Sequence, residues 1–111
     1  MAAPPKTDPL LLCAPNLSKV TQLHVLRGHK GSIWNVAFSP DGSMIASVSN
    51  DYTVQLWLAS VGMLVRAFEG HTDVVWGIAF SPDGRLLASG GRDKTIRVWE
   101  VSSGQLLHTL Q

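Results

Sequence analysis

Residues 28–57, GHKGSIWNVAFSPDGSMIASVSNDYTVQLW, return 42 positions later as residues 70–99, GHTDVVWGIAFSPDGRLLASGGRDKTIRVW. The register holds without a gap when 27–68 is laid over 69–110, and 17 of the 42 positions are identical. The identities include Trp34/Trp76, Phe38/Phe80, Asp41/Asp83, Ser47/Ser89, Asp51/Asp93 and Trp57/Trp99. Unrelated segments of this length match at only a few positions, so the chain contains an internal repeat. A period of roughly 40 to 45 residues that opens on Gly-His and closes near a Trp marks a unit of four short strands. Such a unit cannot bury its own faces alone and must stack on a neighbour.

Each repeat offers four strand-like runs, about 32–38, 44–49, 53–58 and 63–68 in the first, with equivalents 42 residues later. The turns between them carry the strongest local physics. In Ser39-Pro40-Asp41-Gly42 and Ser81-Pro82-Asp83-Gly84, Ser opens the turn, Pro supplies its fixed φ, and Gly takes a positive φ without penalty. Asn50-Asp51 and Arg92-Asp93 stand at the next reversal, where a short carboxylate accepts bonds from nearby backbone N–H groups. Gly62 and Gly104 mark the third. Together these signals predict two meanders of four antiparallel strands. Ahead of the first Gly-His, residues 20–26 alternate weakly and read as one more strand. The expectation is nine strands and no helix. Residues 1–19 are Pro-rich and aperiodic, a leader expected to be flexible.

Composition fits a globular domain, with 45% hydrophobic and 15% charged residues. The formal net charge is +1, too small to argue for nucleic acid or an acidic membrane as partner. The balance stays small within each repeat: three basic and two acidic residues lie in 27–68, four and five in 69–110. A single cysteine, Cys13, rules out an internal disulfide, so a reduced, cytoplasmic setting is the default expectation. The run Leu10-Leu11-Leu12-Cys13-Ala14 hints at a lipoprotein signal. It is shorter than the roughly seven to fifteen apolar residues a signal needs, and prolines bracket it. No segment approaches the roughly 18 apolar residues of a membrane span.

The ordered series Gly-His, Ser-Pro-Asp-Gly, Ile/Leu-Ala-Ser, Asp-x-Thr-Val/Ile and Trp occurs twice at fixed spacing. It closely resembles the WD-repeat β-propeller family, over residues 20–111. The resemblance implies an all-β fold of two four-stranded antiparallel blades, one from repeat 27–68 and one from repeat 69–111. Residues 20–26 would then be a strand completing another blade, the whole being an incomplete propeller.

The resemblance also implies that the recurring polar residues form structural tetrads. These are His29, Ser47, Asp51 and Trp57 in the first repeat, and His71, Ser89, Asp93 and Trp99 in the second. A buried Trp or His needs acceptors for its N–H groups, and Ser and Asp supply them. Losing one member would leave the others unsatisfied, at about 1 to 3 kcal/mol per group.

Ser, His and Asp are also the parts of a nucleophilic triad. Ser47 and Ser89, however, lie inside strand-like Ala-Ser segments and not on an exposed strand-to-helix elbow. Duplication in both repeats also fits a scaffold better than one active site, so no catalytic residue is expected. The four histidines, His24, His29, His71 and His108, have no Cys or carboxylate at metal-ligand spacing, and no Gly-rich phosphate loop precedes a helix. No metal and no cofactor are implied.

In the family, one face of the propeller presents residues from the start of the first strand and just before the tetrad Asp, and ligand peptides often bind there. By position these are Ser32, Trp34 and Asn50, with Val74, Trp76 and Arg92. Trp and Arg anchor interfaces well because each buries a large area and keeps a polar handle. The alternative is that Trp34 and Trp76 serve only as packing between blades.

A closed propeller takes roughly four to eight blades, and stacked repeats need about three units for stability. The expectation is therefore a segment of a longer propeller that acts as a non-catalytic platform for protein or peptide partners, with no nucleic acid and no membrane. Self-association of open blade faces into a ring, or a marginal monomer, are the other arrangements left open. The alternative function is a regulatory or targeting repeat region of a larger enzyme whose catalytic part lies outside these residues.

Overall fold

A computed structural model describes residues 22–111, which form eight β-strands and no helix. In chain order they are β1 (Ile33–Phe38), β2 (Met44–Ser49), β3 (Val54–Leu58), β4 (Met63–Phe68), β5 (Val75–Phe80), β6 (Leu86–Gly91), β7 (Ile96–Glu100) and β8 (Leu106–Leu110). They make two four-stranded sheets, β1-β2-β3-β4 and β5-β6-β7-β8, in which every neighbouring pair is antiparallel. Each repeat is thus one blade. The leader expected at 1–19, with Val20 and Thr21, lies outside the described residues.

The first turn of each blade follows from its sequence. Gly42 and Gly84 both have φ near 76° and donate their N–H groups to the carbonyls of Ser39 and Ser81 at 2.9 Å. Asp41 Oδ1 accepts from Ser39 Oγ at 2.8 Å, from Ser43 N at 2.9 Å and from Ser43 Oγ at 2.7 Å. These donors, the Ser43 backbone N–H first, hold its carboxyl down at about 2.

The β2–β3 reversal contains a feature that the turn chemistry leaves unforeseen. Tyr52 and Lys94 take φ values of 73° and 68°, a region that costs a residue with a Cβ. The preceding Asp holds the reversal: Asp51 Oδ1 accepts from Thr53 N, and Asp93 Oδ1 from Thr95 N, each at 3.0 Å. The Asp-x-Thr spacing is therefore the clamp that sustains the left-handed residue between its ends.

One apolar core spans both blades. Ala46, Val48, Val54, Leu56 and Phe68 from the first cluster with Val75, Leu87, Trp99 and Val101 from the second. Neither blade contains this core alone, which is the stacking requirement of the repeat made concrete. Two polar ties reinforce it. Asn35 Nδ2 donates to the Trp76 carbonyl at 3.2 Å, and the Arg66 guanidinium donates to the carbonyls of Ser103 and Ser102 at 2.8 and 2.9 Å.

Of the strand expected at 20–26 to complete another blade, residues 22–26 are described, and they pair with neither of the two described sheets. A strand exists through its hydrogen-bonded neighbour, and no described strand lies beside this segment. Leu23 and Val25 accordingly stay 84% and 52% exposed. The segment nonetheless sits on blade 1 as β4 sits on blade 2. His24 Nε2 donates to the Ser60 carbonyl at 2.8 Å. His24 and Ser60 are the 42-residue equivalents of Arg66 and Ser102.

Candidate functional site

Two polar environments stand out, one closed and one open. In blade 1, β2 delivers Ser47, β3 delivers Trp57, the β2–β3 reversal delivers Asp51 and the loop before β1 delivers His29. Trp57 Nε1 donates to Ser47 Oγ at 2.9 Å. Ser47 Oγ and His29 Nε2 are 2.7 Å apart, and His29 Nδ1 and Asp51 Oδ2 are 3.0 Å apart. An indole can only donate and a carboxylate only accepts. Trp57 therefore donates to Ser47 Oγ and His29 Nδ1–H to Asp51 Oδ2, and the Ser47 hydroxyl and His29 Nε2 close the chain between them.

Blade 2 repeats the arrangement. Trp99 Nε1 donates to Ser89 Oγ at 2.9 Å, Ser89 Oγ lies 2.7 Å from His71 Nε2, and His71 Nδ1 lies 2.9 Å from Asp93 Oδ2. A fifth participant joins each set. Thr53 Oγ1 donates to Asp51 Oδ1 at 2.6 Å and Thr95 Oγ1 to Asp93 Oδ1 at 2.7 Å. The backbone N–H groups of Lys30 and Thr72 complete the shells, donating to the second carboxylate oxygen at 2.9 and 3.0 Å. The sequence singles out neither Thr as a site residue, although the Asp-x-Thr spacing carries the signal.

Burial raises the Asp51 and Asp93 carboxyls, but the combined donors from Thr, backbone and His outweigh it and leave both well below the ordinary carboxylate range. The glycine of Gly-His also finds its reason here. A Cβ on Gly28 would fall 2.7 Å from Trp57 Cη2, so only glycine lets the loop approach the indole.

The order Ser–His–Asp in these sets matches the connectivity of a nucleophilic triad. Ser47 and Ser89, though, are 3% and 1% exposed, and each hydroxyl oxygen is already engaged by an indole N–H. Nothing but the protein's own groups reaches these oxygens.

The open environment lies at the rim. Trp34 and Trp76 fall at register shifts, between Ile33 and Asn35 and between Val75 and Gly77. A bulge leaves a residue out of the ladder and re-aims its side chain, and both indoles end up about half exposed, at 54% and 50%. Trp34, Asn50, Val74, Trp76 and Arg92 line one cavity of about 610 Å³ that takes residues from both blades. Ser32 is not part of that lining. It acts from behind, its carbonyl accepting from Asn50 N at 2.9 Å as the Val74 carbonyl accepts from Arg92 N at 2.7 Å. Among the described residues no group of His, Cys, Asp and Glu could hold a metal.

Two stacked four-stranded meanders, each with a sequestered Trp-Ser-His-Asp chain, define a pair of β-propeller blades. The family described as WD domain, G-beta repeat matches residues 20–57 and 62–100, and this chain belongs to that WD-repeat family. The crystal structure of the RRP9 WD40 repeats superimposes with a TM-score of 0.76 at 38% identity, over 79% of this chain and 28% of that one. An uncharacterized WD repeat-containing protein of Synechocystis is 39% identical over 64 residues, 58% of this chain and 5% of the relative. Protein Mut11 of Chlamydomonas reinhardtii is 52% identical over 42 residues, 38% of this chain and 11% of the relative. The chain thus spans a small part of the proteins it matches.

Proposed function

We propose that this chain is a non-catalytic WD-repeat platform that contacts a protein or peptide partner through the rim cavity between its two blades. The observation that carries this reading is the pair of bulged indoles, Trp34 and Trp76, at one inter-blade opening beside Arg92. A bulge breaks ladder pairing, and leaving a large indole half in water forgoes burial worth about 25 cal/mol per Å². A contact surface gives that arrangement a use, since Trp and Arg are the side chains that most often dominate binding energy. The closed tetrads support the non-catalytic part of the reading, because their serines are buried and already bonded. Membership of a family whose domains commonly serve as interaction scaffolds agrees with both parts.

The test is a selection of displayed random peptides on the intact chain, followed by affinity measurements on variants. Selected peptides are expected to lose roughly tenfold or more in affinity on Trp34→Ala or Trp76→Ala, with the cooperative melt retained. Peptides that bind both variants as well as the parent would contradict the rim as the contact site. Loss of the cooperative melt in both variants would assign the indoles to packing instead.

A further inference from the structure

The rim cavity has a one-sided polar inventory. Trp34 Nε1 donates to Asn50 Oδ1 at 2.5 Å. Because an indole N–H can only donate, this bond fixes the amide with its oxygen toward Trp34 and its NH₂ group turned away. The bond also occupies the one side-chain acceptor among the five lining residues. Apart from the second lone pair of that oxygen, what remains on the side chains is donors: Asn50 Nδ2, the Trp76 indole N–H and the Arg92 guanidinium. None of the three has a hydrogen-bond or ion-pair partner among the described residues, and the only ion pairs there are the two His–Asp contacts of the tetrads. The repeat itself creates this condition, because the 42-residue equivalent of Asn50 is Arg92. Trp34 therefore has an acceptor where Trp76 has none.

We infer that the cavity receives a carboxylate side chain from an acidic peptide segment, with a neighbouring apolar or aromatic residue lying against the indole faces. This rests on the protein-contact reading above and specifies its chemistry. A carboxylate brings only acceptors, which match Arg92 in fork geometry and leave a lone pair for the Asn50 or Trp76 N–H. No carboxylate of the described residues lines the cavity to compete. A methylated lysine, which two indole faces could attract, would meet the like charge of Arg92. Single-stranded RNA could stack on the indoles, but it is bound along a positively charged groove that follows its backbone. This cavity holds one cation, in a chain of net charge +1.

The chain supplies its own controls for the test. Of its four tryptophans, Trp57 and Trp99 are buried and bonded to serine, whereas Trp34 and Trp76 border the cavity. Indole N–H resonances of the ¹⁵N-labelled 111-residue chain therefore report fold and site in one spectrum. The probes are a capped Ala-Trp-Glu-Ala peptide, its Gln, Lys and trimethyl-lysine counterparts, and an oligouridylate. The Glu peptide is expected to move the Trp34 and Trp76 signals alone and to bind roughly tenfold tighter than the Gln peptide. Arg92→Gln should erase that difference, and Arg92→Glu should turn the preference toward the Lys peptide, with the Trp57 and Trp99 signals in place.

Equal binding of the Glu and Gln peptides would overturn the charge inference and leave the protein-contact reading standing. Tighter binding of the trimethyl-lysine peptide or of oligouridylate would overturn it in favour of that ligand class. If no probe moved Trp34 or Trp76, the inference and the contact reading would fail together.

Discussion

The two blades share turns, tetrads and bulges, yet they differ in two places that separate stability from recognition. On the core side, Trp99 meets Phe68 of the preceding blade edge-on, with ring centroids 5.3 Å apart. The 42-residue equivalent of Phe68 is Leu26, so Trp57 has no aromatic partner in that position. The blade 2 tetrad is also the more enclosed, with His71 and Asp93 side chains 0% and 6% exposed against 1% and 13% for His29 and Asp51. On the rim side the contrast reverses, because Asn50 satisfies Trp34 while Arg92 leaves Trp76 free. A blade's core is thus completed by the blade before it, and its rim chemistry is set by one residue ahead of the tetrad Asp.

The largest expected effect comes from cutting the better-packed indole. Trp99→Ala should cost about 3 to 5 kcal/mol, and Trp57→Ala should cost less by about 1 kcal/mol, the worth of an aromatic pair. Urea denaturation of the two variants checks the order, and a larger loss at Trp57 would break the comparison.

Ser89→Ala leaves both Trp99 Nε1 and His71 Nε2 without their partner. It should cost about 1 to 3 kcal/mol per stranded buried group, with Ser47→Ala slightly milder because its tetrad is less enclosed. Thermal melts of both variants measure the difference.

Acid sharpens the same comparison. Asp51 and Asp93 have native pKa values pulled below the ordinary value of 3.8. Below that value the unfolded chain takes up protons first, so stability present at neutral pH is lost as pH falls toward the depressed native values. Asp41, held at about 2, and Asp83, lowered chiefly by the Ser81 hydroxyl, act in the same direction. Melting temperature should therefore fall steadily on acidification from pH 4. Asp93→Asn should flatten that fall more than Asp41→Asn, whose turn is solvent-exposed.

Two smaller substitutions complete the set. Phe68→Leu should bring blade 2 to the blade 1 condition at a cost of about 1 kcal/mol, from the lost aromatic pair. Arg92→Gln should change stability by no more than about 0.5 kcal/mol, since the guanidinium touches no partner among the described residues, while altering ligand preference. A clear destabilisation would place Arg92 in the structure and not in recognition.

Much of this architecture was legible in the residues because its devices are local. Ser39-Pro40-Asp41-Gly42 specifies a turn, and the 42-residue offset specifies the unit. The tetrad residues could be named by position, and their side chains do meet. What escaped depends on partners distant in sequence or on backbone detail. The left-handed Tyr52 and Lys94 are tolerated only because Asp and Thr pin both sides. Nothing in the repeat pattern singles out Arg66, yet its guanidinium spans the blades to two carbonyls. At the rim, five of the six residues named by position, all but Ser32, line one cavity. The bulges decide that outcome, and they follow from no single residue type.

The most direct measurement is hydrogen exchange of the four indole N–H groups in the intact chain. Strong protection is expected for Trp57 and Trp99, strongest for Trp99, with Trp34 and Trp76 exchanging rapidly and Trp76 fastest. Rapid exchange at Trp57 and Trp99, or protection of Trp76 equal to theirs, would contradict the division between a closed tetrad core and an open rim.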